Sequence, residues 1–233
     1  MTTEVQSHGF VWERELCEKV YGATMDEMKR IKYTSKMDLP GEFNRLDNCD
    51  LSIKTSCSPN TVCMADCLRV FDAASSANNI HLTVIHYLQN DETRTKNVST
   101  ITEIDLTDSK FALFGTLTRT QLDELDKLVK SIPKKRKPTM DEHVSMYSLR
   151  DTLQALSGAI HLNIKCDSKN QRRLQCSFNS FQQFIEQNPA RVIERSNSNT
   201  FRGGVISSQI VSSRRVFKKM PSMPSMPVPL LPE

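Results

Sequence analysis

The stretch Glu42-Phe43-Asn44-Arg45-Leu46-Asp47-Asn48-Cys49-Asp50-Leu51-Ser52-Ile53-Lys54-Thr55-Ser56 decides how this chain is read. Its second half alternates. Leu51, Ile53 and Thr55 fall on one side, and Ser52, Lys54 and Ser56 on the other, which predicts a strand with one face in a core. Asp47-Asn48-Cys49-Asp50 has turn chemistry, because Asn and Asp tolerate turn backbone and bond to it. With residues 42–46 as a first short strand, the whole stretch predicts a β-hairpin. A two-residue loop at Asn48-Cys49 sets Asp47 opposite Asp50, Arg45 opposite Ser52 and Phe43 opposite Lys54. A three-residue loop sets Asn44 opposite Lys54 instead. Only the first register brings two carboxylates together, and such a pair repels unless a cation lies between them.

Upstream, apolar residues from Val11 to Ile31 recur at helical spacing, which predicts helix over residues 10–32 with a break at Gly22. Thr24 before Met25-Asp26-Glu27-Met28 reads as an N-cap, and Leu39-Pro40-Gly41 stops the helix. Downstream, Ser58-Pro59-Asn60 opens a helix expected to reach Asp72, with Val62, Ala65, Leu68 and Phe71 as its buried stripe. Residues 80–88 carry β-branched and aromatic residues on both faces and predict a central strand. Residues 98–106 and 110–117 read as further strands. Thr118 or Thr120 caps a helix through Ile132. The basic linker Lys134-Lys135-Arg136-Lys137-Pro138 follows, read as a solvated loop, a nuclear address or a phosphate contact. A second long helix spans 141–156, closed by Ser157-Gly158.

Alternation then predicts a second hairpin, with Ile160, Leu162 and Ile164 on one strand, Asp167-Ser168-Lys169-Asn170 as the turn, and Leu174, Cys176 and Phe178 on the other. A short helix over 180–187 and strands at 191–194 and 205–211 complete the ordered part. From Met220 prolines recur at short intervals, so residues 1–219 read as one domain and 220–233 as an extended, disordered tail.

The 233 residues are 38% hydrophobic and 25% charged, which suits a globular chain with a sizeable core. No 18-residue apolar run and no basic-then-apolar leader is present, so the expectation is an intracellular protein, cytoplasmic or virus-associated, without a membrane span. Seven cysteines, an odd number in a chain of this size, argue for reduced thiols rather than a disulfide framework. Cys57, Cys63 and Cys67 cluster without a Cys-x-x-Cys spacing or a nearby histidine, and zinc there is the weaker reading. His81 and His86 fall on opposite faces of their strand and do not form a ligand pair. Residues 165–233 carry 11 Lys or Arg against 4 Asp or Glu, while residues 1–164 are slightly acidic. Such asymmetry suits a face that meets a polyanion.

Cutting a phosphodiester with a metal ion requires oxygen ligands for a hard cation and a group that offsets phosphate charge or activates water. Lys54 and Ser52 share one strand face with Asp50 at its head. The order helix, hairpin ending in Ser52-Ile53-Lys54, helix, central strand resembles the core of the PD-(D/E)XK nuclease superfamily, where an acid on one strand precedes acid-x-Lys on the next. Ile53-Lys54-Thr55-Ser56, followed by Cys63-Met64-Ala65-Asp66-Cys67-Leu68-Arg69, is similar to type II restriction endonuclease-like proteins of bacteria and large DNA viruses. The string Ile164-Lys165-Cys166-Asp167-Ser168-Lys169-Asn170-Gln171-Arg172-Arg173-Leu174-Gln175-Cys176-Ser177 is similar to their later hairpin.

That resemblance implies an α/β fold, a restriction-endonuclease-like mixed central sheet flanked by helices. It implies a sequence-specific, Mg²⁺-dependent endonuclease on double-stranded DNA, as a homodimer where sites are palindromic. Asp50 and Asp47 would hold Mg²⁺, with Glu42 competing as the first acid and Asp66 a further candidate, and Lys54 would activate or position water. Ser52 stands where the family carries Glu or Asp. A non-cutting DNA-binding protein on the same scaffold is therefore the competing expectation, and an interaction protein using the proline-rich tail is a third. For DNA, Arg173 and Gln175 have the donors and acceptors to read base edges. Arg172, Lys169, Lys165, Arg214, Arg215, Lys218 and Lys219 are candidate contacts on the DNA side, chiefly to phosphate.

Overall fold

The computed structural model describes residues 4–31, 37–76, 78–166 and 171–210, with the side chains of 4–8 undescribed. The chain is mixed α/β, with parallel and antiparallel strands in a mixed sheet flanked by helices. The elements are α1 (Glu4–Lys19), α2 (Met25–Arg30), β1 (Asp50–Ser56), β2 (Val62–Asp66), α3 (Cys67–Ala74), β3 (Ile80–Asn90), β4 (Thr95–Asp105), α4 (Lys110–Phe114), α5 (Arg119–Ser131) and α6 (Met140–Gln154). There follow β5 (Ile160–Cys166), β6 (Arg172–Phe178), α7 (Phe181–Gln187), β7 (Val192–Ser196), β8 (Thr200–Phe201), β9 (Gly204–Val205) and β10 (Gln209–Ile210).

The main sheet runs β1-β3-β4, with β10 and β7 both pairing along β4. β1 and β3 are parallel, whereas β4 meets β3, β7 and β10 antiparallel. β3 holds the centre, and its residues Leu82, Val84 and Ile85 are fully buried. Each face of this sheet has its own core. On one, Trp12, Leu16 and Tyr21 from the α1 region cover Leu51, Ile53, Ile85 and Ile101, joined by Phe201 and Ile206. On the other, Leu82, Val84 and Ile104 pack against Phe71, Phe114, Leu122, Leu125 and a second sheet, β2-β6-β5.

Local capping settles on Thr24, as expected, on Thr118 of the two candidates at α5, and on Thr139 at α6, where the sequence pattern assigns no cap. Thr24 and Glu27 form a reciprocal capping box at α2, as Thr118 and Gln121 do at α5 and Thr139 and Glu142 at α6. The break between α1 and α2 falls at Gly22, whose φ of 74° lies in the left-handed region. The basic linker is tied to α6 by Arg136, whose guanidinium pairs with Glu142 at 2.6 Å.

Three expectations are overturned, the first two by tertiary pairing. Residues 42–56 are not a hairpin. Gly41–Phe43 form a single 3₁₀ turn, and the Asn44 amide donates to Asp47 Oδ1 (2.6 Å) and the Cys49 carbonyl (2.9 Å), closing a loop. β1 pairs instead along its whole length with β3, from Asp50↔Ile80 to Ser56↔His86. Leu51 also meets Leu39 in an antiparallel bridge. A long apolar strand buries both Leu51 and Ile53, and the polar segment 42–46 cannot.

The helix expected from Ser58 starts at Cys67. Residues 62–66 are strand β2, bound antiparallel to β6 through a bulge at which Ala65 takes a φ of 71°. Val62, Ala65, Leu68 and Phe71 sit at helical spacing, but Val62 and Met64 also alternate, and the open edge of β6 selects the strand. Asp66 then caps α3, its Oδ1 accepting from Arg69 N at 3.0 Å. Residues 110–114 are helical, not a strand; so short an apolar run has no decisive period, and Gly115 at φ 56° ends it. The second hairpin forms as β5 and β6, in register from Ile160↔Phe178 to Cys166↔Arg172. Its turn, 167–170, and the tail from 220 lie outside the described residues.

Because β2 pairs with its other edge, β6 is the middle strand of its sheet, and its residues are almost all buried. Arg172 illustrates the consequence. Its guanidinium donates to the carbonyls of Ile132 (3.1 Å), Pro133 (2.9 Å) and Arg136 (2.7 Å), tying β6 to the α5–α6 connection. Truncating such a group leaves one buried acceptor, at Ile132, and two part-buried ones bare, the buried one costing about 1–3 kcal/mol and the others less. We expect Arg172→Ala to destabilise the fold by about 3 kcal/mol in urea unfolding. Arg172→Lys should recover only part of this, since one ammonium cannot span three carbonyls; full recovery would show that charge alone matters there.

Candidate functional site

A cleft of about 500 Å³ opens between the two sheets. One wall is built from α1, the segment at Asp38 and the polar face of β1. Helix α1 buries Trp12, Leu16 and Cys17 against the sheet, and this places Glu13 on the cleft side. Its position is locked by the C-terminal strap. Trp12 Nε1 donates to the Ser207 carbonyl (2.7 Å), Lys19 Nζ to the Val205 carbonyl (2.9 Å), and Glu15 accepts from Ser207 N (2.7 Å).

Asp38 is the hub of this wall. The backbone N–H groups of Asp38 and Leu39 both donate to the Leu51 carbonyl, which holds the segment beside β1. Asp38 Oδ2 then accepts from Ile53 N (2.6 Å), Lys54 Nζ (2.8 Å) and Ser52 Oγ (3.2 Å). Lys54 Nζ also donates to the Ile53 carbonyl at 2.9 Å, so its ammonium is aimed along the wall rather than into solvent. Ser52 spends its hydroxyl on Asp38.

Glu13 completes the group. Burial, and after it the charge of Asp38, push its carboxyl up to about 7, with Lys54 opposing. Two acids thus share a half-buried wall with one lysine, and the ionised state of both is short of positive charge. The same surroundings raise the buried Cys17 thiol, through burial first and then Glu13 and Asp38.

The opposite wall comes from β2 and α3, with Asp66 and Arg69, and from β6, with Arg173. Arg69 is exposed, while Arg173 bonds Gln175, whose amide oxygen turned toward it accepts at 2.9 and 3.2 Å. Gln175 itself is buried, at 7% exposure. Lys165, exposed on β5, is the register partner of Arg173. Lys169, Arg214, Arg215, Lys218 and Lys219 lie outside the described residues. Much of the remaining basic surplus is internally engaged. Arg191 donates to the carbonyls of Asp105 and Thr107, and Arg202 pairs with Glu103 and Glu194.

Of the acids singled out in the sequence, Asp66 reaches the far wall of the cleft, whereas Asp50, Glu42 and Asp47 go elsewhere. Asp50 heads β1 but turns to a shallow surface depression, accepting from Gly41 N (2.9 Å) and Asn78 Nδ2 (3.3 Å); exposed Glu42 lines the same depression. Asp47 faces the other side of the sheet, where its Oδ2 lies 3.4 Å from His81 Nδ1. Of the residues named from sequence, the structure brings Lys54 and Ser52 together on one wall with Asp66 and Arg173 across from them, and adds Asp38 and Glu13. Asp38 was legible only as an acid just before Leu39-Pro40; the hairpin reading drew attention past it. Glu13 carried no signal beyond being an acid one residue from a buried tryptophan.

No family model, curated protein or solved structure matches the chain. The site is therefore argued from its own geometry. A glutamate whose folded pKa is raised stabilises fully below its ordinary value of 4.5 and loses that contribution as pH climbs to about 7. We expect Glu13→Gln, without added metal, to be more stable than wild type above pH 7 by on the order of 2 kcal/mol, about 4–8 °C in Tm, with the gap closing below pH 4.5. A pH-independent gap would show that Glu13 does not titrate between the two states.

Proposed function

We propose that the chain is a metal-dependent phosphodiesterase acting on double-stranded DNA, an endonuclease of the restriction type. The observation that carries this reading is the convergence of Glu13, Asp38 and Lys54 on one wall of the cleft, with Arg69 and Arg173 facing them. It joins the resemblance of the Ser52-Ile53-Lys54 strand to the PD-(D/E)XK nucleases. That pattern requires an acid on the segment paired with the lysine strand, and Asp38 stands beside the Leu39–Leu51 bridge.

The donor set fits a hard divalent cation such as Mg²⁺. Asp38 commits only Oδ2 to hydrogen bonds among the described residues, which leaves Oδ1 as a ligand, and Glu13 adds a second carboxylate. Bound between them, the cation would polarise a phosphoryl oxygen and acidify a water. The remaining work belongs to the chain. Lys54 neutralises Asp38 and offsets charge that develops on the phosphate. Asp38, through Ile53 N and Ser52 Oγ, fixes the strand backbone against which the phosphodiester must lie. Arg69 and Arg173 bring positive charge to the far wall, where a nucleic-acid backbone would need it.

Ser52 favours a second reading, a DNA-binding protein on the same scaffold that does not cut. A serine hydroxyl supplies no charge to a cation, and here it donates to Asp38. The two readings separate in one assay, nicking of supercoiled and mixed-sequence DNA with and without Mg²⁺. The nuclease reading expects Mg²⁺-dependent cleavage that falls at least 100-fold in Lys54→Ala and in Asp38→Asn, with binding retained. Salt-sensitive binding with no cleavage under any divalent cation would leave the second reading standing.

A further inference from the structure

On the face of the main sheet away from the cleft, three different metal-ligating groups converge. Asp47, Cys49 and His81 each present one ligand atom, all within 4.8 Å of one another. We propose that they form a binding site for a borderline-soft divalent cation of the zinc class, separate from the Glu13–Asp38 wall.

The site is built by the stretch that fails to become a hairpin. Asn48, at φ 57°, turns the chain, and Asp47 Oδ1 accepts from Cys49 N (3.2 Å) and Asn44 Nδ2 (2.6 Å), which holds the loop closed. Both ligand-bearing residues are thereby directed to the start of β3, where Leu51↔His81 are register partners. Cys49 is 5% exposed, and the side chains of His81 and Asp47 are 12% and 24% exposed. A cation there would be shielded yet reachable.

Its surroundings are those of a cation site. Glu103, fully buried, bonds His81 Nδ1 at 2.8 Å and orients the ring. This is also the nitrogen 3.4 Å from Asp47 Oδ2. A cation held at Nε2 would keep the Glu103 bond behind it, and one held at Nδ1 would replace that bond and keep Glu103 as a neighbouring charge. Asp105, the register partner of His81, adds negative charge to both His81 and Cys49. Against Asp47, Glu103 and Asp105 stands Arg202, which pairs with Glu103 at 2.9 Å and is shared with Glu194. Among the described residues, negative charge is in surplus there.

The ligand types choose the metal. Thiolate, imidazole and carboxylate suit zinc, cobalt or nickel, whereas Mg²⁺ takes oxygen ligands and keeps its waters. Binding would expel the Cys49 thiol proton, and any second proton on His81, to solvent, with no redox change. Three protein ligands leave a fourth position for water. By bridging residues 47–49 to β3, the cation would clamp the loop that precedes the lysine strand.

The test uses the full chain, stripped with a chelator and titrated with Co²⁺ and then Zn²⁺. We expect one equivalent of Co²⁺ to give a thiolate-to-cobalt charge-transfer band that Zn²⁺ displaces. Cys49→Ser should abolish the band, and His81→Gln should weaken binding at least tenfold. Glu103→Gln should weaken it 10–100-fold. Cys57→Ser and Glu13→Gln should leave it unchanged, which separates this site from the cleft and from the nuclease reading. Absence of the band in folded wild type, or its survival in Cys49→Ser, overturns the proposal. Should Cys49→Ser lose its fold by circular dichroism, Asp47→Asn takes its place, and undiminished Co²⁺ affinity in that variant overturns it equally.

Discussion

The parallel ladder between β1 and β3 is the constraint on which the rest of the molecule depends. Seven consecutive residues of β1 pair with Ile80 through His86. Parallel pairing requires a crossover, and the β2–α3 segment supplies it. That crossover carries β2 across to the second sheet, opens the cleft between the two sheets, and brings Asp66 and Arg69 to its far wall. The alternation of β1 then divides its residues. Leu51 and Ile53 enter the core under α1, and Ser52 and Lys54 face the cleft.

A second interaction turns this scaffold into a candidate site. Asp38 Oδ2 takes three donors from one strand, two of them from Ser52 and Lys54 side chains and one from the Ile53 backbone. A carboxylate so bonded is held in place more firmly than an exposed ion pair would be, because the backbone donor cannot swing away. Glu13 adds a second acid from a helix that the core and the Ser207 strap pin down. Two acids and a lysine thus meet on rigid elements, and burial together with the charge of Asp38 raises the Glu13 carboxyl.

The opposite face shows how one loop can serve two ends. Residues 44–49 close through Asn44 and Asp47, and the same closure both starts β1 and carries Asp47 and Cys49 to His81. Position in the sheet explains the division: Asp47 and Cys49 meet His81 on the α1 side of β3, while Ser52 and Lys54 emerge on the other. Asp47 and Cys49 on one side and Lys54 on the other therefore serve different faces of one short stretch.

Much of the architecture was written in local sequence. The capping boxes at Thr24, Thr118 and Thr139 and the apolar density of β3 depend on neighbours within a few residues. So does the alternation of β1, β5 and β6, and these elements form where the pattern places them. Lys54 and Ser52 were legible for the same reason, since strand alternation alone assigns them a shared face. What only the tertiary structure decided is which strand pairs with which. The partner of β1 lies some thirty residues downstream, and the bridge at Leu39 lies twelve residues upstream, so no local period could choose them. Residues 62–66 satisfied a helical and a strand period equally, and the free edge of β6 settled the matter. Asp38 and Glu13 belong to the site because burial and hydrogen bonding bring distant segments together. A carboxylate's place in a site is set by the backbone that folds beside it, and that information is not local to the residue.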